Sequence, residues 1–436
     1  MSETNYKEEF ERFLSARKAH EPAWLQSIRE TAFRRFTDLG MPTRKHEDWK
    51  YTPVSFYTDV PFAQAETPTQ APALADIEAQ TGALSGLRAI FVDGHFHSEL
   101  SDLSATTEGV HIGSVADALK EDSSVLKQEL QRHVDRNTGR VFEALNLAFF
   151  VDGLFVHAPK NTKLEQTLHV VNVSSGTKGA SVQQPRNVFV AEQGAQLDIV
   201  ESYIGLHDGL YWTNAVTEVD VADNAHVTHL RIQEEGKDGR HIASLHAHLS
   251  RASNFANHIV SFGGKAVRND TEAVLSAENA ECTLNGLYLS GDNQHVDNRT
   301  SLDHARPHCN SYQLYKGVLT EKGKGVFNGH ILVRQAAQKT DAKQSNQALL
   351  LSDDAMIYSK PQLEIFADDV RCTHGATSGN LDPEGLFYLQ SRGVHKDAAK
   401  ALMTYAFANE LLTQLSNEEI RERLEQRLSS RLHTAS

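Results

Sequence analysis

Cysteine is scarce in this chain: 436 residues contain only three thiols, Cys282, Cys309 and Cys372. They lie far apart in sequence and include no Cys-x-x-Cys pair. A framework of structural disulfides is therefore not expected, and the spacing is typical of a protein that works in a reducing compartment.

Long apolar runs and basic runs are also missing. No apolar stretch approaches the roughly 18 residues that a membrane helix needs. The first residues, MSETNYKEEFERFLSARKAHE, are charged and lack an apolar signal core, so we expect a cytoplasmic protein. The formal net charge of -14 argues against nucleic acid as the main partner, because phosphate binding needs clustered lysine and arginine.

Motifs of common enzyme classes are absent as well. The run EKGKGVFNG, from Glu321, lacks the spacing and the Ser/Thr of a phosphate-binding loop, so no nucleotide site is expected in this chain. No Gly-x-Ser-x-Gly elbow occurs. The carboxylate pairs Asp353–Asp354 and Asp368–Asp369 are adjacent, so on a strand their side chains point to opposite faces. We therefore expect a protein that is not an enzyme.

Short strand-like segments recur from about residue 152 to 390. Each has an apolar pair, a small or polar turn and a second apolar strand. Corresponding positions in successive segments are mostly separated by roughly 26 to 31 residues, a period typical of solenoids. Strand repeats without intervening helices favour a parallel β-helix, in which stacked coils share one core. A β-sandwich is the alternative, since short strands with turn signals fit it too.

Helical patterns flank this region. Apolar residues recur at spacings of three and four from about Tyr6 to Gly40, and again after Asp397. A stretch rich in Pro, Ala, Gln and Thr, near residues 61–82, predicts a linker. We therefore divide the chain into an N-terminal helical and small α/β region (1–151), a β core (152–390) and a C-terminal helical region (391–436). The last helices are expected to cap the solenoid end.

The segment RCTHGATSG, from Arg371, carries the best candidate for metal chemistry. The alternation of apolar and polar residues before it predicts a strand, on which Val370, Cys372 and His374 share one face. Side chains two apart on a strand lie roughly 6.5 Å apart. A thiol beside an imidazole is a candidate ligand pair for a soft or borderline metal. The alternative is a buried cysteine that acts as a small hydrophobe beside a satisfied histidine.

Other histidines and cysteines are weaker candidates, because 22 histidines make chance clusters common. His246 and His248 alternate with apolar residues and are expected on the outer face of a strand. The segment DHARPHCNS places three candidate ligands, His304, His308 and Cys309, near a turn. Cys282 is expected to be a core thiol.

Several long segments carry a family resemblance. They are CTHGAT, LDPEGLFYLQSRG and KPQLEIFADDV near the end, YKGVLTEKGKGVFNGHILVRQAAQKTDAKQSNQALLLSDDA from Tyr315, and GMPTRKHEDWKYT from Gly40. Together they resemble the SufB/SufD family of the SUF iron–sulfur cluster assembly scaffold, over nearly the whole chain. SufB members usually have Glu-His-Glu-Ala-Thr where this chain has Cys372-Thr373-His374-Gly375-Ala376-Thr377, so the SufD branch is the better match.

The resemblance implies a right-handed parallel β-helix, flanked by N-terminal and C-terminal helical segments. It also implies a scaffold that pairs with a SufB-like paralogue and docks a SufC-like ATPase on C-terminal helices. A transient iron–sulfur cluster would form at the junction, with His374 as the ligand from this chain and Cys372 assisting or only packing. Because a stable cluster usually takes about four thiolates, the cluster would be shared.

Three alternatives stay open. One is a structural adaptor that binds no metal, and another is a polysaccharide-active enzyme on a β-helix. The third concerns assembly, since the isolated chain could pair with a second copy of itself. Neither a flavin site nor a membrane contact is indicated by the sequence.

Overall fold

Parallel strands make up most of the computed structural model, which describes residues 3–60, 63–68, 70–136, 139–176 and 180–434. The strands, in chain order, are β1 (Leu87–Val92), β2 (His95–Phe96), β3 (His111–Ser114), β4 (Leu154–Ala158), β5 (Leu168–Ser174), β6 (Val182–Gln183), β7 (Arg186–Ala191), β8 (Gln196–Gly205), β9 (Tyr211–Val221), β10 (His226–Glu234), β11 (Gly239–Leu249), β12 (Asn254–Ser261), β13 (Ala266–Leu275), β14 (Glu281–Ser290), β15 (His295–His304), β16 (Asn310–Leu319), β17 (Lys324–Val333), β18 (Asp341–Leu350), β19 (Met356–Ile365) and β20 (Arg371–Gly379).

The strands form two ten-stranded sheets, and from β7 onward the chain alternates between them. Sheet I runs β2-β1-β5-β8-β10-β12-β14-β16-β18-β20, and sheet II runs β19-β17-β15-β13-β11-β9-β7-β4-β3 with β6 beside β9. Pairing from β7 and β8 onward is parallel, so each pair of strands adds one turn. The predicted parallel β-helix is confirmed, with about eight turns, and the sandwich alternative is wrong.

Helices precede and follow the solenoid. They are α1 (Glu3–Arg17), α2 (Ala23–Leu39), α3 (Ser55–Thr58), α4 (Leu74–Thr81), α5 (Val115–Lys120), α6 (Ser124–Arg136), α7 (Val141–Phe149), α8 (Pro383–Ser391), α9 (Lys396–Leu412) and α10 (Glu418–Thr434), with a 3-10 turn at Glu47–Trp49. The predicted linker at 61–82 contains α4, and its residues 61, 62 and 69 lie outside the described part. None of the described helices is long and apolar enough to cross a membrane.

The solenoid has an inner core and an apolar layer on each outer face. Inside, alternate residues of both sheets form one apolar cluster that extends from Leu87 to Ala367. Outside sheet II, α2 and α7 contribute Phe33, Phe36 and Phe149 to a second cluster. Outside sheet I, α9 and α10 bury leucines against apolar residues that face outward from β10 to β16.

The C-terminal helices therefore cover the face of sheet I and not the solenoid end. Leu411 and Leu424 are fully buried in that layer, and the Lys316 ammonium on β16 donates to the Glu410 carboxylate of α9. The expectation that these helices cap the solenoid end is wrong. The reason is that outward side chains such as Leu230, Val260 and Leu287 give sheet I an apolar outer face, which an amphipathic helix covers.

One corner of the solenoid repeats the same strained backbone conformation at almost every turn. Positive φ angles of +55° to +72° recur at Asn161, Gly194, Asn224, Ala252, Asn279, His308 and Lys339. The corner amide donates to a carbonyl of the next turn, as Asn224 does to Arg251 and Ala252 to Glu278, both at 2.9 Å. This corner accounts for the period seen in the sequence, because it recurs once per coil.

Candidate metal site at the open end of the solenoid

His374 and Cys372 lie on β20, the last strand of sheet I. Cys372 pairs in register with Ala342 of β18, and His374 with Gln344. Ala342 and Gln344 are both buried and face the interior, so Cys372 and His374 are on the interior face of the last coil. The predicted shared face is therefore confirmed.

Cys372 is half-buried and contacts the inner apolar core together with Val370. Burial raises the pKa of its thiol, a backbone hydrogen bond involving Ala342 lowers it, and the Asp341 charge raises it, with a net increase. A thiol with a raised pKa is a poor metal ligand at neutral pH, because the thiolate is the form that binds. Packing against the core is therefore at least as important a role for Cys372 as binding a metal.

His374 is exposed at the mouth of the solenoid. Beneath it, the side chain of Gln344 is held by an Nε2 hydrogen bond of 3.3 Å to Oε1 of Gln313. On the opposite wall, Leu363 of β19 packs against the inner core. Over the described ranges, no three His, Cys, Asp and Glu side chains come close enough together to hold a metal ion. The pair on β20 can supply at most two side-chain ligands.

Apolar side chains surround this end and lie in solvent. Phe366, after β19, is 62% exposed, and Phe387 and Tyr388 of α8 are 72% and 58% exposed. Helix α8 contacts α9 and leaves Phe387 in solvent. The Arg392 guanidinium lies 5.4 Å from the centre of the Tyr388 ring.

Two weaker candidates, His246 and His248, lie on the outward face of β11, as the alternation predicts. The N-terminal helices cover that face, so His246 is buried, with Nε2 3.0 Å from Oε1 of Glu143 on α7. His248 Nδ1 contacts Oδ1 of Asp220 at 3.1 Å. These contacts are with neighbouring carboxylates inside the fold, which fits a structural role.

The DHARPHCNS segment forms a turn, as predicted, but does not gather its three candidates. His304 faces the core, where Nε2 contacts the Ser311 hydroxyl at 2.9 Å. His308 occupies the repeated corner with φ of +61°. The buried Cys309 thiol donates to the Ala277 carbonyl at 3.2 Å. Cys282 is fully buried, which confirms it as a core thiol, and burial raises its pKa.

Two family models together cover almost the entire sequence. Residues 1–170 match the SufBD protein N-terminal region, and residues 172–407 match the SufBD core domain of SUF system FeS cluster assembly. The chain belongs to the SufBD family. It is 33% identical over 398 residues to the iron–sulfur cluster assembly protein SufD of Escherichia coli, covering 90% of each chain.

Two other relatives support this assignment. A SufBD family protein of Synechocystis is 31% identical over 401 residues, which cover 90% of this chain and 88% of the relative. SufD of Bacillus subtilis is 26% identical over 430 residues, covering 93% and 94%. The resemblance to SufD that the motifs indicated is confirmed, and the chain is a SufD-like protein of the iron–sulfur cluster assembly family.

Sequence reasoning missed the rim of exposed aromatic residues. Phe366 directly follows a strand, and the acidic pair Asp368–Asp369 that begins two residues later was the available signal for a residue outside the core. Gln344 was also missed. Only the register between β18 and β20 shows that it lies beside His374 on the adjacent strand.

Proposed function

We propose that this chain is a non-catalytic scaffold subunit that contributes His374 to a transient iron–sulfur cluster shared with a SufB-like paralogue. The cluster is cargo and not a resident cofactor. The observation that carries the proposal is an incomplete pair of donors, His374 and Cys372, on the last strand of a solenoid whose end is open. A partner that extended the sheets would bring its own donors to this edge.

The unpaired edges of β19 and β20 support the proposal that a second protein binds at this end. A terminal strand exposes a row of backbone donors and acceptors that another strand can pair with. Here Met356 and Ile365 of β19, and Phe366 directly after it, are large hydrophobic residues that lie exposed at the edge. Exposed apolar patches of this kind mark interaction sites. A second β-helix of the same family has matching strands, and it is the partner we propose for the open end.

An imidazole ligand suits a cluster that must dissociate from the scaffold. Neutral histidine binds iron less tightly than thiolate does, and it loses its affinity when protonated. We propose His374 as the ligand because it is exposed. Cys372 has a secondary role, since its thiol is half-buried and has a raised pKa.

Docking of a SufC-like ATPase is the second part of the proposal. This chain has no phosphate-binding motif, so ATP hydrolysis would come from the partner. The exposed faces of α8 and α9, with Phe387 and half-exposed Leu402, provide apolar surface on helices next to the open end. We place the ATPase contact there and the complex in the cytoplasm.

The copurified native complex tests the scaffold proposal against the adaptor alternative. A scaffold should yield a paralogue, an ATPase, iron and acid-labile sulfide together. If the chain is only an adaptor, both partners should copurify with it, but no iron or sulfide whose binding depends on His374 should be found. Recovery of a homodimer lacking the paralogue would contradict the shared site.

A further inference from the structure

A groove between the segment around Lys50 and sheet II collects basic side chains on a chain that is acidic as a whole. Two cavities, of about 260 Å³ and about 210 Å³, adjoin there and share Phe56, His295 and Lys324 in their walls. The groove that they form together is called the basic groove below. Its cations are Arg44, Lys50, Lys322 and Lys324.

These four cations have no charge partner within the described part of the chain. Lys322 lines the first cavity, Arg44 and Lys50 line the second, and Lys324 lines both. All four are exposed, and over the described residues none of them forms an ion pair. Of the described residues that line the groove, only Asp354 carries a carboxylate. Four cations and one anion leave a local excess of three positive charges, although the formal net charge of the chain is -14.

Acidic residues that are close to these cations in sequence have nearer partners elsewhere. Glu47 Oε1 lies 2.5 Å from Lys360 Nζ, and Asp48 Oδ1 lies 2.9 Å from Arg299 Nη1. The Glu321 carboxylate accepts a backbone N–H at 2.7 Å. The positive charge of the basic groove is therefore open to carboxylates from another molecule.

Contacts inside the fold hold the walls of the basic groove in place. Thr52 Oγ1 donates to Asp297 Oδ2 at 2.6 Å and lies 2.9 Å from His295 Nε2. The rings of Tyr51 and Tyr358 stack with their centres 4.4 Å apart, which ties the segment that carries two of the cations to β19. A ligand would meet walls that are already ordered, so little of its binding energy is lost in ordering them.

We propose that the basic groove binds a short acidic segment of a protein partner, in which aspartate or glutamate residues flank an apolar side chain. Three of the four cations are lysines, which act as point charges and suit single carboxylates, whereas arginine predominates where phosphate is bound by two parallel hydrogen bonds. Half-buried Tyr51, Phe56 and Tyr358 supply apolar surface in the same walls.

The length of the segment follows from the charge of the whole chain. Charges at a protein surface act over about 8 Å at physiological ionic strength. A short acidic segment therefore meets mainly the local cations, whereas a long polyanion such as a nucleic acid also meets the acidic remainder of the surface. The basic groove is separate from His374, and this inference does not depend on the proposed function.

Peptide binding to the full chain tests the basic groove. The probe is a fluorescein-labelled synthetic peptide, DEFDELDE, and fluorescence anisotropy measures its affinity. An amide peptide, NQFNQLNQ, and an oligothymidylate of the same length are the comparison ligands. The acidic peptide should bind most tightly, and its affinity should fall as salt is added. Absence of binding at millimolar concentration, equal binding of the amide peptide or tighter binding of the oligothymidylate would overturn the proposal.

Charge reversal separates the basic groove from the net charge of the chain. Lys50→Glu combined with Lys322→Glu should weaken binding of the acidic peptide at least tenfold. Lys120→Glu combined with Lys163→Glu changes the net charge equally at exposed positions outside the groove and should keep the affinity within twofold of the wild type. Unfolding midpoints check the fold of both double variants. An equal loss of affinity in both would show that only net charge matters and would overturn the site.

Carbodiimide coupling locates the acidic peptide on the wild-type chain, so it decides even if the groove variant does not fold. The reagent joins carboxylates to amines that are in contact, and peptide mass mapping identifies the lysines that are joined. Lys50, Lys322 and Lys324 should carry the peptide. Coupling at other lysines with these three unmodified would overturn the site. Coupling of these lysines to a second copy of the chain, in place of the peptide, would also overturn it.

Discussion

Histidine side chains show how strongly burial sets the chemistry of single residues in this protein. His169, His258, His295 and His304 are buried, and burial lowers the pKa of each to about 4. An imidazole in the unfolded chain has a pKa near 6.5. Between about pH 6.5 and pH 4 the unfolded state therefore binds protons that the folded state does not, and the free energy of unfolding falls as the pH is lowered.

His304→Gln should remove one of the side chains that bind a proton in the unfolded state but not in the folded state. Near pH 5.3 each such histidine contributes about 1.2 kcal/mol per pH unit to the slope of the free energy of unfolding against pH. Urea unfolding between pH 4.5 and 6.5 should show that slope reduced by about this amount. His395→Gln, at an exposed position, is the control and should leave it unchanged. An equal slope in His304→Gln and wild type would contradict a neutral buried His304.

Thiol reactivity should separate the three cysteines. Cys282 and Cys309 are buried, whereas Cys372 is half-buried at the open end. We expect iodoacetamide to modify Cys372 alone in the folded chain. Because its pKa is raised, the rate should still be rising with pH above about 9, where an ordinary thiol is already largely ionised. Peptide mass mapping of the modified sites is the measurement. Equal modification of Cys282 would contradict the burial of that thiol.

At the scale of elements, the repeated corner carries a conformational cost. Ala252 adopts φ of +55°, a region that is unfavourable for a residue with a Cβ. Asn and Gly occupy most of the equivalent corners and accept it more easily. The sequence therefore predicts the period but not this exception, since alanine gives no turn signal.

Ala252→Gly should stabilise the chain by about 1 kcal/mol, because glycine relieves the strain at positive φ and loses part of the gain to backbone entropy. Urea unfolding measures it. Ala398→Gly, on the exposed surface of α9, is the matched control and should destabilise by about 1 kcal/mol, since glycine is a poor helix former. Destabilisation of both variants to the same extent would contradict strain at the corner.

Exposed residues of α8 and α9 allow the ATPase contact to be tested without disturbing the core. A truncation that removes α10 would uncover the buried leucines on sheet I, so point substitutions are preferable. Phe387→Glu and Leu402→Glu should reduce copurification of the ATPase at least tenfold while leaving the unfolding midpoint unchanged. Glu422→Lys, at an exposed position of α10, is the control. Undiminished ATPase binding in both Phe387→Glu and Leu402→Glu would show that the contact lies elsewhere.

At the scale of the whole molecule, the solenoid could be predicted because its coils repeat an apolar pattern with a fixed period. The layout of the flanking helices could not, because amphipathic patterns such as that around Leu411 show that a helix packs but not on which surface. The same limit applies to the candidate sites. Alternation places Cys372 and His374 on one face, yet only the buried partners Ala342 and Gln344 show that this face is the interior. Buried charged residues such as Glu201 and Arg231 could not be predicted either, because the alternating pattern leads one to expect apolar residues at inward positions.

The central claim is that the open end of the solenoid, through His374, completes a cluster site with a partner. The variants to compare are His374→Ala, Cys372→Ser and Cys282→Ser, each in the complete complex. His374 is exposed, so its truncation should open little of the core and leave the fold and partner binding intact. Cys372→Ser should do less harm, and Cys282→Ser should leave the cluster yield close to that of the wild type.

The most direct measurement is cluster absorbance, with iron and acid-labile sulfide, on reconstituted complexes that carry His374→Ala. We expect a loss of at least tenfold in cluster yield while the paralogue and the ATPase remain bound. A wild-type yield of cluster in His374→Ala would contradict the shared site and leave the structural adaptor as the better account.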